Sequence, residues 1–114
     1  MRGEIWIVDL DPVRGQEIRK SRPCVVISSD GFESIPIRIV IPVTSWQPKF
    51  AQRAFMVRIP ASESHGLLRD SGANVLQIRS LSTERFMEKL GQLDPPLLQE
   101  VLAALVVAID YEET

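Results

Sequence analysis

The chain has 114 residues, 45% hydrophobic and 25% charged, with a formal net charge of −2. Those values fit one soluble domain with a real core and exclude a disordered or polybasic chain, while a single cysteine, Cys24, excludes a disulfide scaffold. No run reaches the roughly 20 apolar residues of a membrane span, and the charged opening MRGE lacks the apolar stretch of a secretion signal, so a cytoplasmic protein is expected.

Charge is unevenly spread. Residues 1–83 hold eleven Lys/Arg and eight Asp/Glu, whereas residues 84–114 hold two and seven. A polyanion is therefore expected on the first part of the chain and not on its last element.

In chain order, IWIVDL (Ile5 to Leu10) reads as a short buried strand, broken at Asp11-Pro12. Val13 to Ser21 is polar and too long for a hairpin turn, and long loops in compact domains are often functional. PCVVISS (Pro23 to Ser29) is a second strand with Cys24 as a small buried hydrophobe, and Asp30-Gly31 a turn. IRIVIPVTS (Ile37 to Ser45) is a third, in which Pro42 marks an edge or a bend. After a loop at Trp46 to Gln52, AFMVRI (Ala54 to Ile59) is a fourth. ASESHGLLRDSG is irregular, and His65 within it is expected at the surface. ANVLQIRS (Ala73 to Ser80) reads as a fifth strand, and a short sixth is expected near Met87 to Gln92.

The one helix comes last. Asp94 suits an N-cap and Pro95 the first helical position, and Leu97, Leu98, Val101, Leu102, Leu105, Val106 and Ile109 recur every three or four residues. Ala103, Ala104, Val107 and Ala108 make the other side apolar too, so burial on more than one side is expected. Core packing accounts for most of that surface, with contact to a second subunit as the alternative use. The whole reads as one domain, residues 1–114. Its expected class is mainly β (α+β), a strongly curved small barrel of five to six short strands with a C-terminal helix.

A two-histidine pair, a Gly-rich phosphate loop, a GxSxG elbow and an HExxH helix are all missing. Asp9 and Asp11 read as a strand end and turn, so neither a metal site nor a cofactor is expected. GQEIRKSRP (Gly15 to Pro23) sets Gln16 and Glu17 among Arg19, Lys20 and Arg22. It is either a solvated charged loop or a phosphate site with an acid/base group inside it. Arginine's planar fork matches phosphate, and the positive field favours the ionised carboxylate. PVTS supplies the hydroxyls of Thr44 and Ser45. LQIRS supplies Gln77 and Arg79, with Asn74 nearby; amides read base edges, and arginine holds phosphate or stacks on a base. Trp46 and Phe50 offer stacking surfaces, though packing is the more ordinary use of each.

These segments together resemble one family. MRGEIWIVDLDPVRGQEIRKSRPCVVIS resembles the opening of MazF/PemK toxins, which reads RGDIW-x-VDLDP…G-x-E…RP-x-VV. PVTS, GLLRDSGANVLQIRS and LGQLDPPLLQEV are similar to later blocks of that family in the same order, so the resemblance covers nearly the whole chain. It implies an SH3-like barrel of the CcdB/PemK kind and a homodimer. It implies a sequence-specific endoribonuclease toxin that cuts single-stranded RNA without metal and is neutralised by a cognate antitoxin, meeting DNA only through that antitoxin. Glu17 and Arg22 fall on the family's reactive loop, Thr44 on its hydroxyl position, and Gln77 and Arg79 on its Q-x-R strand. The implied catalytic set is Arg22, Thr44 and Glu17. Gln16, Arg19, Lys20, Ser45, Asn74, Gln77 and Arg79 are the implied RNA contacts.

The expected reaction is attack of the RNA 2′-hydroxyl on the adjacent phosphorus, leaving a 2′,3′-cyclic phosphate and a 5′-hydroxyl. It needs proton transfer and charge stabilisation. Arg22 would stabilise the phosphate, Thr44 donate a hydrogen bond, and Glu17 act as the base or orient it. Two positions depart from some relatives: Leu76 stands where they carry Asp or Glu, and Asn74 where they carry arginine. Both shift the base role toward Glu17. The rival readings are a non-catalytic CcdB-like poison of a protein such as gyrase, and an inactive homologue that only binds RNA or antitoxin.

Overall fold

Seven strands form in the computed structural model, which describes residues 1–112. They are β1 (Glu4–Asp9), β2 (Ser21–Val26), β3 (Ile37–Ser45), β4 (Met56–Ile59), β5 (Ser71–Asn74), β6 (Arg79–Ser82) and β7 (Phe86–Gln92), followed by the helix α1 (Pro95–Ala108). All pair antiparallel, in the order β4-β5-β3-β2-β1-β7, with β6 also on β3.

The strand runs lack polar alternation because the sheet is buried on both faces. Val25, Ile41 and Val43 face a larger core closed by Val101 and Ala104 of α1. Cys24, Val26 and Val40, one residue out of phase, face a smaller core with Val8, Leu10 and Leu81. Val13 and Ile18, from the loop between β1 and β2, pack on that smaller core. Both are only partly buried, so each contributes less than the roughly 1.5–3 kcal/mol of a fully buried aliphatic side chain, and the charged loop is held down partly by these two apolar residues.

β3 is central rather than an edge. One side meets β2 through Val40–Pro42, while the other meets β6 through Ile37–Val40 and β5 through Val43–Ser45. Pro42, which has no N–H to donate, falls where that second neighbour changes. The expected single strand over 73–80 is broken: β5 ends at Asn74, a 3₁₀ turn occupies Val75–Gln77, and β6 starts at Arg79. The cause is local, since the Asn74 side-chain oxygen accepts the Leu76 N–H at 3.1 Å and caps the turn. Along β7 the pairing with β1 skips Leu90 and Met87, two bulges that re-aim those side chains.

Asp94 precedes α1 and Pro95 opens it, as read from the sequence, but the Asp94 side chain caps no N–H. Its Oδ2 lies 3.2 Å from Nε2 of His65. That histidine is buried at 1% exposure, with Nδ1 2.9 Å from the Pro60 carbonyl, and is not the surface residue its polar neighbours promise. Only Val101 and Ala104 of α1 are fully buried. Val106, Val107 and Ile109 are exposed, so within this chain the helix covers the core with one face, not two. No helix among the described residues is long and apolar enough to cross a membrane.

Candidate active site

The end of β3, the start of β2 and residues of the segment Gly66 to Ser71 line a cleft of about 320 Å³. Ile7, Pro23, Val43 and the bulged Leu90 line it with apolar surface, while Arg22, Thr44, Ser45, Arg69 and Ser71 supply its polar groups. The charged lining side chains are the two arginines; no carboxylate joins them among the described residues.

Each group is placed by a nameable local cause. Arg22 sits in β2 opposite Val8, and its Nε donates to the Arg19 carbonyl at 3.2 Å. That bond ties down the near end of the guanidinium through Nε and engages neither terminal nitrogen. Thr44 and Ser45 pair with Gly72 and Ser71 across the β3–β5 ladder. Gly72 lets Trp46 and Met56 pack closely there, since a Cβ would lie 2.7 Å from Met56 Cε and 3.1 Å from Trp46 Cε3. Ser71 Oγ donates to the Arg69 carbonyl at 2.9 Å. Asp70 accepts the Ala61 N–H at 3.0 Å and the Arg58 guanidinium at 2.6 Å, and its carbonyl accepts the Trp46 N–H at 2.9 Å. The Ala61 N–H first, and Arg58 after it, hold the Asp70 carboxyl below its ordinary range.

The structure gathers Arg22, Thr44 and Ser45 in that cleft and leaves the rest of the expected set outside it. Glu17 folds back on its own loop, where its Oε1 accepts the Arg14 N–H at 2.7 Å. Gln16, Arg19 and Lys20 lie on the same exposed loop. Lys20 has a left-handed φ of 67°, and its N–H donates to Asp11 Oδ1 at 3.1 Å.

Gln77, Arg79 and Asn74 are engaged with backbone. The Gln77 amide clasps the loop at two points, donating to the Gln16 carbonyl and accepting the Ile18 N–H, each at 3.1 Å. Arg79 donates to the Leu10 carbonyl at 2.8 Å, and Asn74 caps its 3₁₀ turn. Arg85, not singled out from the sequence, donates to the carbonyls of Asp9 and Asp11 at 3.2 and 2.6 Å. Trp46 packs edge-on against the buried Phe50 at 5.6 Å, with Arg58 over its ring.

Arg69 and Ser71 were also missed. In the sequence Arg69 stands beside Asp70, and the fold pairs that carboxylate with Arg58. Cys24 supplies no nucleophile, since burial pushes its thiol up to about 12 despite the opposing charge of Arg79. Among the described residues no three His, Cys, Asp or Glu side chains gather as metal ligands would.

Guanidiniums and hydroxyls around one cleft, without a nucleophile, define a protein equipped to hold a phosphate-like anion. Residues 1–109 match the family described as the PemK-like, MazF-like toxin of type II toxin–antitoxin systems. Endoribonuclease MazF9 of Mycobacterium tuberculosis (strain ATCC 25618 / H37Rv) is 39% identical over 96% of this chain and 95% of its own. Among solved structures, MazF (Form-I) of Deinococcus radiodurans is similar with a TM-score of 0.81 and 23% identity, covering 96% of each chain. An endoribonuclease from a mycobacterial species, in complex with its cognate antitoxin, is similar with a TM-score of 0.78 and 16% identity, covering 100% of this chain and 98% of its own. The chain therefore belongs to the PemK-like, MazF-like toxin family of type II toxin–antitoxin systems.

Proposed function

We propose that the protein cuts single-stranded RNA in the cytoplasm at short sequence motifs, without metal, by in-line attack of the substrate's own 2′-hydroxyl. The observation that carries this reading is the meeting of Arg22 and Thr44 in a cleft whose charged lining is all guanidinium. Such a cleft favours a phosphate and disfavours a divalent cation. Arg22 neutralises charge growing on the phosphorane-like transition state, and Thr44 donates a hydrogen bond to it. The 2′-hydroxyl proton goes to Glu17 once the loop releases that carboxylate from the Arg14 N–H. The P–O5′ bond then breaks and the leaving oxygen takes a proton from water, giving a 2′,3′-cyclic phosphate and a 5′-hydroxyl. DNA, lacking the nucleophile, is not cut.

Residues 1–114 act as one toxin domain, paired with a cognate antitoxin, as is the mycobacterial endoribonuclease of the same fold. The exposed Val106, Val107 and Ile109 of α1 suit burial between two copies in a homodimer. Gln16, Arg19, Lys20 and Ser45 are the expected RNA contacts, joined by Asn74, Gln77 and Arg79 when their backbone partners are exchanged for RNA.

The test is cleavage of a long single-stranded RNA in EDTA, with the product ends mapped. Wild type should give discrete cuts with 5′-hydroxyl ends, and Arg22→Ala should be slower by about 10²–10³-fold. A folded wild type that leaves RNA intact would move the reading to a poison of a protein target.

A further inference from the structure

Arg69 has no place in the reading above, yet the fold presents it with care. Its backbone is fixed on both sides. Its carbonyl accepts Ser71 Oγ at 2.9 Å, and the neighbouring Asp70 is tied to Ala61, Arg58 and Trp46. Upstream, Gly66 adopts a φ of +71° so close to β7 that an added Cβ would lie 2.1 Å from the Leu90 carbonyl oxygen. The segment is thus pinned while the Arg69 side chain remains exposed at the cleft. Asp70, the nearest acid in sequence, is occupied by Arg58, and no ion pair engages Arg69 among the described residues. A pinned backbone carrying a free guanidinium gives up little order on gripping an anion.

We propose that Arg69 is a second phosphate-binding residue of the substrate cleft, gripping the RNA backbone from the same cleft that Arg22 lines. This rests on the RNA-cleaving reading of the same cleft. Arg22 and Thr44 hold the scissile phosphate; Arg69 takes an adjoining phosphate and so sets how the strand lies across the site. Two planar guanidiniums and the hydroxyls of Thr44 and Ser45 in one lining suit the oxygens of a phosphodiester.

The experiment uses the full chain with a fluorescein-labelled, mixed-sequence single-stranded 2′-O-methyl RNA, which cannot be cut, and in parallel the cleavable RNA. Arg69→Ala should weaken binding by about ten- to a hundredfold. It should flatten the dependence of log K on log salt by roughly 0.7, the loss of one phosphate contact on a single strand. KM should rise more than kcat falls, and Arg69→Lys should keep the salt slope while recovering part of the affinity. Wild-type affinity and slope in Arg69→Ala would overturn the assignment. So would weakened antitoxin binding with RNA binding intact, which would make Arg69 a partner contact. Should wild type neither bind nor cut RNA, the underlying function fails and this assignment with it; a wild type that cuts, beside an unaffected Arg69→Ala, sinks the assignment alone.

Discussion

Two segments lead along the chain into the strands that line the cleft, and they are held in opposite ways. The loop from Asp11 to Lys20 is grasped from outside by long polar side chains, Gln77, Arg79 and Arg85, which reach its backbone and that of Asp9 and Leu10. The segment from Ser62 to Ser71 is wedged by backbone contact with β7: Gln92 N–H donates to Ser64 oxygen at 2.8 Å, and Gly66 and Gly91 leave no room for a Cβ. Single side-chain hydrogen bonds are worth about 0.5–1.5 kcal/mol and can be released one at a time. Packed backbone cannot be released piecemeal. The contrast teaches a division of labour: the first segment, which carries Glu17, is built to move, and the second, which carries Arg69, is built to stay.

The largest expected effect tests the rigid segment. Gly66→Ala combines a left-handed φ with a Cβ that overlaps the Leu90 carbonyl, and should cost about 3 kcal/mol or more in urea unfolding. A loss below about 1 kcal/mol would show that the segment shifts freely, and the contrast would collapse.

The movable loop should respond less. Gln77→Ala removes two bonds to it and should cost about 1–2 kcal/mol, with faster amide hydrogen exchange at Ile18. Unchanged exchange there would mean that Val13 and Ile18 alone hold the loop on the smaller core.

A smaller effect concerns the brace beside the rigid segment. Partial burial pushes the Glu4 carboxyl up, but bonds from Lys89, the N-terminal amine and Trp6 outweigh it and bring the group from 4.5 to about 2. A carboxyl lowered on folding contributes stability above its unfolded value and loses it as pH falls toward its folded one. Wild type should therefore exceed Glu4→Gln in stability at neutral pH, and the gap should close between about pH 4.5 and 2. A gap that widens on acidification would refute the brace.

The smallest effect is expected at Cys24, buried under the movable loop. Its thiol, raised to about 12, should resist a thiol reagent in native protein at pH 8. Labelling should appear in Gln77→Ala before it appears in wild type, because that variant opens the loop over the thiol. Equal rates in both would place the access route elsewhere.

How much was legible follows the range of the interactions. Strand runs such as Pro23 to Ser29 could be read because β-branched residues buried on both faces leave a continuous apolar signature. The helix start could be read because Asp94-Pro95 is a local signal, although the Asp94 carboxylate went to His65. Arg22, Thr44 and Ser45 were picked from segments of distinctive type, and the β3–β5 ladder then set two of them at one cleft. The break at Asn74 was missed because a side-chain cap and a continued strand look alike in ANVLQIRS. Arg69 was missed because the partner of Asp70 lies twelve residues away.

The sequence by itself determined most strand runs, the last helix and the charge split between the first 83 residues and the rest, because these are set by local pattern and composition, and its resemblance to MazF/PemK blocks pointed to the family. Only the tertiary structure decided which charges are free. Arg79 and Arg85 are spent on the carbonyls of Leu10, Asp9 and Asp11, Asp70 is spent on Arg58, and Arg22 and Arg69 are left facing one cleft. The physical reason is that a guanidinium's role depends on which acceptors surround it, and those acceptors come from distant parts of the chain.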